Sequence, residues 1–302
     1  MRGDDITGAL LAASSDPSDG ASAVLLGDIE RHPLTPVLFP GADLHGVLAE
    51  RLAWWRRFAG GPDGTAIMAT GRPEQVWRYP LALAQHLAGT QAVIVGICGP
   101  PGSGKSTLSA ALCALFRSRA PDLRFLAVSL DDFYHPKDVR ERLGLRWRAA
   151  PGSHDLDAAV QCLAAIRERR QSLRLPTFDQ ARDDRGPTRT IEGPIATAFV
   201  DGWFLGLREH GYERVADLLD YLVYLDCPTS LARRRRFGRE DRIRAEAGGA
   251  SAGLSAEQME DFWSEVLGPG IARWVEPVRK AADLVVALDE DGDAVGGTRK
   301  ER

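Results

Sequence analysis

Gly99-Pro100-Pro101-Gly102-Ser103-Gly104-Lys105-Ser106-Thr107 is the stretch that decides how this chain is read. It fits G-x-x-x-x-G-K-[ST], a glycine-rich turn that joins a strand to a helix. The flanks supply both elements. Ala92-Val93-Ile94-Val95-Gly96-Ile97-Cys98 is apolar and β-branched, as a strand buried on both faces must be. Beyond the turn, Leu108, Leu112, Leu115 and Phe116 share one helical face. Glycines let the backbone wrap a phosphate, amide N–H groups point inward, and the helix dipole adds positive potential. Gly99, Gly102, Ser103, Gly104, Lys105, Ser106 and Thr107 are therefore the candidate residues for binding nucleotide phosphates. Lys105 would reach the β/γ-phosphates, and the Ser106 hydroxyl would ligate Mg²⁺. Composition sharpens the reading of Lys105. The chain is arginine-rich and has lysine only at 105, 137, 280 and 300. A compact ammonium at that position is not replaceable by a planar guanidinium fork.

At 302 residues and 44% hydrophobic content, the chain has room for one large domain, or one domain with an appendage, around a real core. A net charge of −4 gives no basic footprint for nucleic acid. Cys98, Cys113, Cys162 and Cys227 form no C-x-x-C pair and read as small core residues in a reducing compartment. Met1 to Asp5 is acidic and lacks an apolar signal core, and no run approaches the length of a membrane span. These features predict a cytoplasmic protein with no nucleic-acid or membrane partner.

Residues 1–35 are rich in Ala, Ser, Asp and Gly and read as a flexible tail. Residues 36–90 read as a helical layer: one helix from Asp43 to Phe58, a Gly/Pro-rich interruption from Pro62 to Pro73, and a second helix from Trp77 to Leu87. Residues 91–290 form the main domain, and 291–302 a second flexible tail. In the main domain, strands are predicted over Leu123–Leu130, Ile195–Val200, Tyr221–Asp226 and Asp283–Leu288. Helices are predicted over Asp155–Arg170 and Pro228–Arg244, and a further helix opens at the capping box of Ser255 and Gln258. This alternation argues a three-layer α/β/α fold with a mostly parallel sheet, plus the N-terminal helical extension.

Strand ends carry the candidate chemistry, because ligands of open α/β sheets bind at the carboxyl edge. Strand Leu123–Leu130 ends in Asp131-Asp132-Phe133-Tyr134, which offers a base for an acceptor hydroxyl; a helix cap or solvated turn is the plainer alternative. Strand Ile195–Val200 ends in Asp201, where an acid holds Mg²⁺ directly or through water. His154, in Ser153-His154-Asp155, could bind substrate, and Ser153 or Asp155 could instead cap the following helix. Arg182 and Arg185 lie in a polar loop and could fork onto a carboxylate or phosphate. Arg233-Arg234-Arg235-Arg236, with Arg239 and Arg242, forms a basic helix suited to closing over nucleotide phosphates.

Taken together, these blocks resemble the D-glycerate 3-kinases of plant and fungal type, a branch of the P-loop kinases that includes uridine kinase, pantothenate kinase and phosphoribulokinase. The resemblance spans roughly residues 90–290. It rests on Gly99–Thr107, Val128–Tyr134, Arg148 with Pro151–Leu156, Leu175–Asp179 with Asp184-Arg185, Ile191–Pro194, Asp201–Gly206, and Gly253–Ser255 with the Phe262-Trp263 helix. It implies transfer of the γ-phosphoryl of ATP to a hydroxyl of D-glycerate, giving 3-phosphoglycerate, with Mg²⁺ held by Ser106 and Asp201. It implies catalytic roles for Lys105, Asp131 or Asp132, and Arg185, and nucleotide contacts from Arg235 and Arg239. Substrate contacts would come from Tyr134, Arg148, His154, Asp155 and Arg185. The chain departs from the family pattern at Asp201, where glutamate is usual, and at Gln180, where a basic residue is usual. A kinase with another acceptor, or a regulatory nucleotide-binding protein without one, are the alternative readings.

Overall fold

Five consecutive buried residues, Ile94–Cys98, make strand β1, and apolar neighbours flank it on both sides. The computed structural model describes residues 3–15, 19–70, 72–246 and 253–300. It opens with seven helices: α1 (Gly3–Ser15), α2 (Asp19–Arg31), α3 (Thr35–Leu38), α4 (Leu44–Ala59), α5 (Pro62–Thr70), α6 (Pro73–Arg78) and α7 (Pro80–Thr90). After β1 come α8 (Lys105–Arg119), β2 (Phe125–Ser129), α9 (Lys137–Arg142) and α10 (Leu156–Arg167). Two short hairpins follow, β3 (Ser172–Leu175) with β6 (Arg189–Glu192) and β4 (Phe178–Asp179) with β5 (Asp184–Arg185). The chain then runs through β7 (Thr197–Asp201), α11 (Glu213–Ala216), β8 (Tyr221–Asp226), α12 (Thr229–Glu246) and α13 (Ala256–Phe262). It continues in π- and α-helical turns to Arg279 and ends with β9 (Leu284–Leu288) and β10 (Ala294–Arg299).

The main sheet has the order β10-β9-β8-β1-β7-β2, parallel except for β10. This order brings distant segments to one edge. β7 lies between β1 and β2, and its register pairs Asp201 with Ile97 on one side and Ser129 on the other. The ends of β1, β7 and β2 therefore stand side by side, each followed by a loop that carries polar residues.

The 1–35 tail expected from composition is not what the structure shows. Ile6, Leu10, Leu25 and Ile29 are fully buried, one helical turn apart within α1 and within α2, so a thin apolar stripe survives in Ala/Ser/Asp/Gly-rich sequence. Residues 1–2 and 16–18 of that segment lie outside the described residues. The 291–302 tail is likewise corrected: Ala294–Arg299 forms β10, antiparallel to β9, with residues 301–302 outside the described part. The interruption expected from Pro62 to Pro73 is largely helix α5. A Cβ at Gly64 would collide with the Phe58 backbone, so glycine lets α5 fold back tightly on α4. The expected helix from Trp77 to Leu87 breaks at Tyr79, because Pro80 is built for a helix start and not an interior.

The N-terminal layer is docked on the P-loop helix by aromatic contacts. The Trp54 indole N–H donates to the Leu115 carbonyl at 2.8 Å, and its ring meets Phe116 edge-on at 5.5 Å. Trp55 packs edge-on against Trp77 at 6.3 Å behind it. Farther along, Ser255 and Gln258 form the expected capping box at the start of α13.

Candidate active site

The P-loop turn depends on glycine at the positions where its conformation is left-handed. Gly102 and Gly104 have φ of +91° and +93°, and a Cβ at Gly102 would collide with the Ala232 carbonyl of α12. The turn thus packs directly beneath the basic helix. Lys105, the first residue of α8, is buried, and its ammonium donates to the carbonyls of Gly99 at 2.9 Å and Pro100 at 2.8 Å. Burial lowers its pKa, opposed by Cys98, Asp201 and Asp131.

The next residue reaches across to β7. Ser106 Oγ donates to Asp201 Oδ1 at 2.6 Å, and Ser129 Oγ donates to the same oxygen at 3.3 Å. Burial pushes the Asp201 carboxyl up to about 6, against the pull of the Ser106 hydroxyl and Lys105. Hydroxyl and carboxylate oxygens set together in a buried pocket are the donors that a hard divalent cation takes. Ser103 Oγ, also buried, has no protein partner. The left-handed glycine turn, the orphaned Ser103 hydroxyl and the Ser106–Asp201 pair fit a nucleotide with Mg²⁺, which Ser106 and Asp201 could hold.

A cavity of about 1240 Å³ opens over this turn. Of the residues singled out from sequence, Gly102 to Thr107, Asp131, Tyr134, Arg148, Asp201, Arg235 and Arg239 line it. Gly99 sits just below, as the acceptor for Lys105. Asp131 is the second residue of a 3₁₀ turn over Leu130–Phe133, held at its start by the Ser129 hydroxyl accepting from Asp131 N–H. Arg148 has a side chain only 13% exposed, bonds to Asp183 at 2.8 Å and approaches Glu240 of α12 at 3.8 Å. It bridges the β4–β5 hairpin and the basic helix at the cavity wall. Arg235 donates to the Asp291 carbonyl at 2.8 Å and packs over Gly292.

Four candidates stand away from the cavity lining. Asp132 accepts from Phe178 N–H at 3.2 Å and anchors the β4 strand; burial raises its pKa. Arg185 donates to the Tyr134 carbonyl at 3.1 Å and, at 3.4 Å, to the Phe133 carbonyl and Asp155. Asp155 also caps α10 by accepting from Ala158 N–H at 3.0 Å. His154 stacks on Tyr134 at 4.1 Å and bonds through Nδ1 to the Tyr212 hydroxyl at 2.6 Å; burial lowers its pKa to about 4. These four residues, read from sequence as catalytic or substrate groups, brace the loop that carries Asp131 and Tyr134.

The cavity wall also holds residues that sequence reasoning left without an individual role. Arg236 pairs with Glu240 one turn along α12, both almost wholly buried. Opposite charges at i and i+4 were a readable signal, but a run of four arginines hides which one faces inward. Trp203 and Phe262, each inside a block that carries the family resemblance, also line the cavity; so do Gln75 and Val76 of the N-terminal layer, and for these two no local signal existed.

The sequence profile of the phosphoribulokinase / uridine kinase family matches residues 94–293. Uridine kinase from Listeria innocua is 26% identical over 197 residues, covering 64% of this chain and 86% of that protein. The chloroplastic D-glycerate 3-kinase of Arabidopsis thaliana is 29% identical over 245 residues, covering 66% of this chain and 52% of that longer protein. The D-glycerate 3-kinase of Cryptococcus neoformans shares the fold with a TM-score of 0.59 at 21% identity, over 72% of this chain and 99% of the other. These relatives are kinases, phosphotransferases that act on hydroxyl acceptors. The chain belongs to the phosphoribulokinase / uridine kinase family of P-loop kinases.

Proposed function

We propose that this kinase transfers the γ-phosphoryl group of ATP to a hydroxyl of D-glycerate, giving 3-phosphoglycerate. The observation that carries the reading is Arg148, a mostly buried guanidinium in the same cavity wall as Asp131, Tyr134 and Gln180. A guanidinium fork suits a small carboxylate. The D-glycerate 3-kinase names of two relatives support the same acceptor.

In this reading the chain's own residues do little covalent chemistry. The P-loop amides and Lys105 hold the triphosphate, and Arg235 and Arg239 offset charge on it. Ser106 and Asp201 would hold Mg²⁺, which would supply neutralisation of phosphate charge when bound. Arg148 fixes the acceptor carboxylate. The acceptor hydroxyl oxygen forms the new bond to phosphorus, the bond from phosphorus to the β–γ bridging oxygen breaks, and the hydroxyl proton passes to the Asp131 carboxylate.

The test is acceptor-dependent ADP release with Mg·ATP across D-glycerate, uridine, pantothenate and ribulose 5-phosphate. D-glycerate should give the largest kcat/KM. A preference for uridine would assign the site to a nucleoside, and ATP hydrolysis indifferent to every acceptor would overturn the kinase reading.

A further inference from the structure

The cavity extends beyond the part of the chain that the family profile matches. Ile67, Arg72, Gln75, Val76 and Tyr79, all N-terminal to residue 94, share its wall with Gly292 and Asp293 of the β9–β10 turn and Ala294 and Val295 at the start of β10. Sheet order says which end of the cavity this is. β2, with Asp131 at its end, lies two strands from β1 on one side; β9 and β10 lie on the other side, beyond β8. A triphosphate seated on the P-loop with its transferable end toward Asp131 must run its other end toward β9 and β10. The connection can be followed contact by contact. Arg235 passes within 3.8 Å of where a Cβ on Gly104 would stand, and it donates to the Asp291 carbonyl at 2.8 Å. In the same turn Asp293 Oδ1 accepts from Gln75 Nε2 of α6 at 3.0 Å. That bond commits the Gln75 amide nitrogen and leaves Oε1 as a hydrogen-bond acceptor. Val76, Ile67 and the Tyr79 ring add partly buried apolar surface beside it. An apolar wall edged by one amide acceptor and one arginine is the composition that a flat, amino-bearing heterocycle requires.

We propose that the N-terminal helical layer completes the nucleotide site: Gln75 and Val76, held by the Gln75–Asp293 bond, bind the base of the phosphoryl donor. This inference rests on the reading of the cavity as a nucleotide site. It explains why Trp54 ties the layer so firmly to α8, since the layer and the P-loop must keep one spacing to hold the two ends of one ligand.

The test separates base from phosphate. ADP and inorganic tripolyphosphate are titrated calorimetrically, with Mg²⁺, into the full chain and into Gln75→Leu, Val76→Ser and Lys105→Ala. Gln75→Leu and Val76→Ser should each weaken ADP binding about five- to tenfold and leave tripolyphosphate affinity unchanged, as expected for loss of one hydrogen bond or part of an apolar contact. Lys105→Ala should weaken both ligands. Unchanged ADP affinity in the Gln75 and Val76 variants would overturn the proposal, and so would an equal loss for both ligands. If the unmodified chain binds neither ligand, the nucleotide-site reading fails first, and this inference with it.

Discussion

Lowering the pH from 7 to 5 should destabilise the folded protein by about 2 kcal/mol through His154 alone. The side chain is sealed among Tyr134, Phe204 and Tyr212, and burial holds its folded pKa at about 4 against a reference of 6.5. The folded state therefore binds fewer protons than the unfolded chain between these two values, and stability must rise with pH there. The contribution is fully present above pH 6.5 and drains away as pH falls toward about 4. At pH 5 an exposed imidazole is almost wholly protonated and the buried one almost wholly neutral, which gives about 1.5 pH units of linkage, or about 2 kcal/mol at 1.36 kcal/mol per unit. His32, also lowered to about 4 by burial, adds a similar slope. Asp201, raised by burial, acts with the opposite sign, but both terms are common to wild type and a His154 variant and cancel in the comparison. The assay is urea unfolding at pH 7 and pH 5 for wild type and His154→Gln. The variant should lose about 2 kcal/mol less than wild type over this interval, whatever its absolute stability. Equal losses would refute the argument that His154 is held neutral by its packing.

Asp131→Asn should lower kcat by about 10²–10⁴-fold with little change in melting temperature, because Asp131 lines the cavity as the candidate base. Asp132→Ala should do the reverse, with a loss of about 1–2 kcal/mol in denaturant titration and a much smaller rate effect, because its carboxylate anchors Phe178 N–H. Gly102→Ala forces a side chain into a left-handed residue that touches the Ala232 carbonyl, so it should destabilise by about 1–2 kcal/mol or more and weaken ADP binding in calorimetry. Trp54→Ala should cost about 3–5 kcal/mol in chemical denaturation, since the indole fills the joint between α4 and α8 and donates to Leu115.

What was legible in the sequence is what local pattern determines. The P-loop, the apolar strands ending in Asp131 and Asp201, and the Ser255–Gln258 cap each announce themselves within about ten residues. Helices α1 and α2 were not read. Their apolar residues are few, and small polar neighbours dilute the period that Ile6 and Leu10, or Leu25 and Ile29, would otherwise show. β10 was also missed. Gly296 and Gly297 weaken any strand signal, yet a Cβ at Gly297 would collide with the Val285 carbonyl, so the pairing itself demands glycine. At the site, sequence grouped Asp131 with Asp132 and Arg148 with Arg185. A 3₁₀ turn separates the first pair, sending one carboxylate to the cavity and the other to a backbone amide. Arg185 is spent on the Phe133 and Tyr134 carbonyls while Arg148 keeps the cavity wall, a division set by the β4–β5 hairpin, which carries Arg185 but lies far from Arg148 in sequence.

The most direct measurement is the product formed from Mg·ATP and D-glycerate, followed by phosphorus and proton NMR with wild type and Lys105→Ala side by side. The expected result is a new phosphate ester on the C3 hydroxyl, appearing in step with ADP for wild type and absent for the variant. ADP accompanied only by inorganic phosphate, or an ester formed equally well without Lys105, would contradict the account.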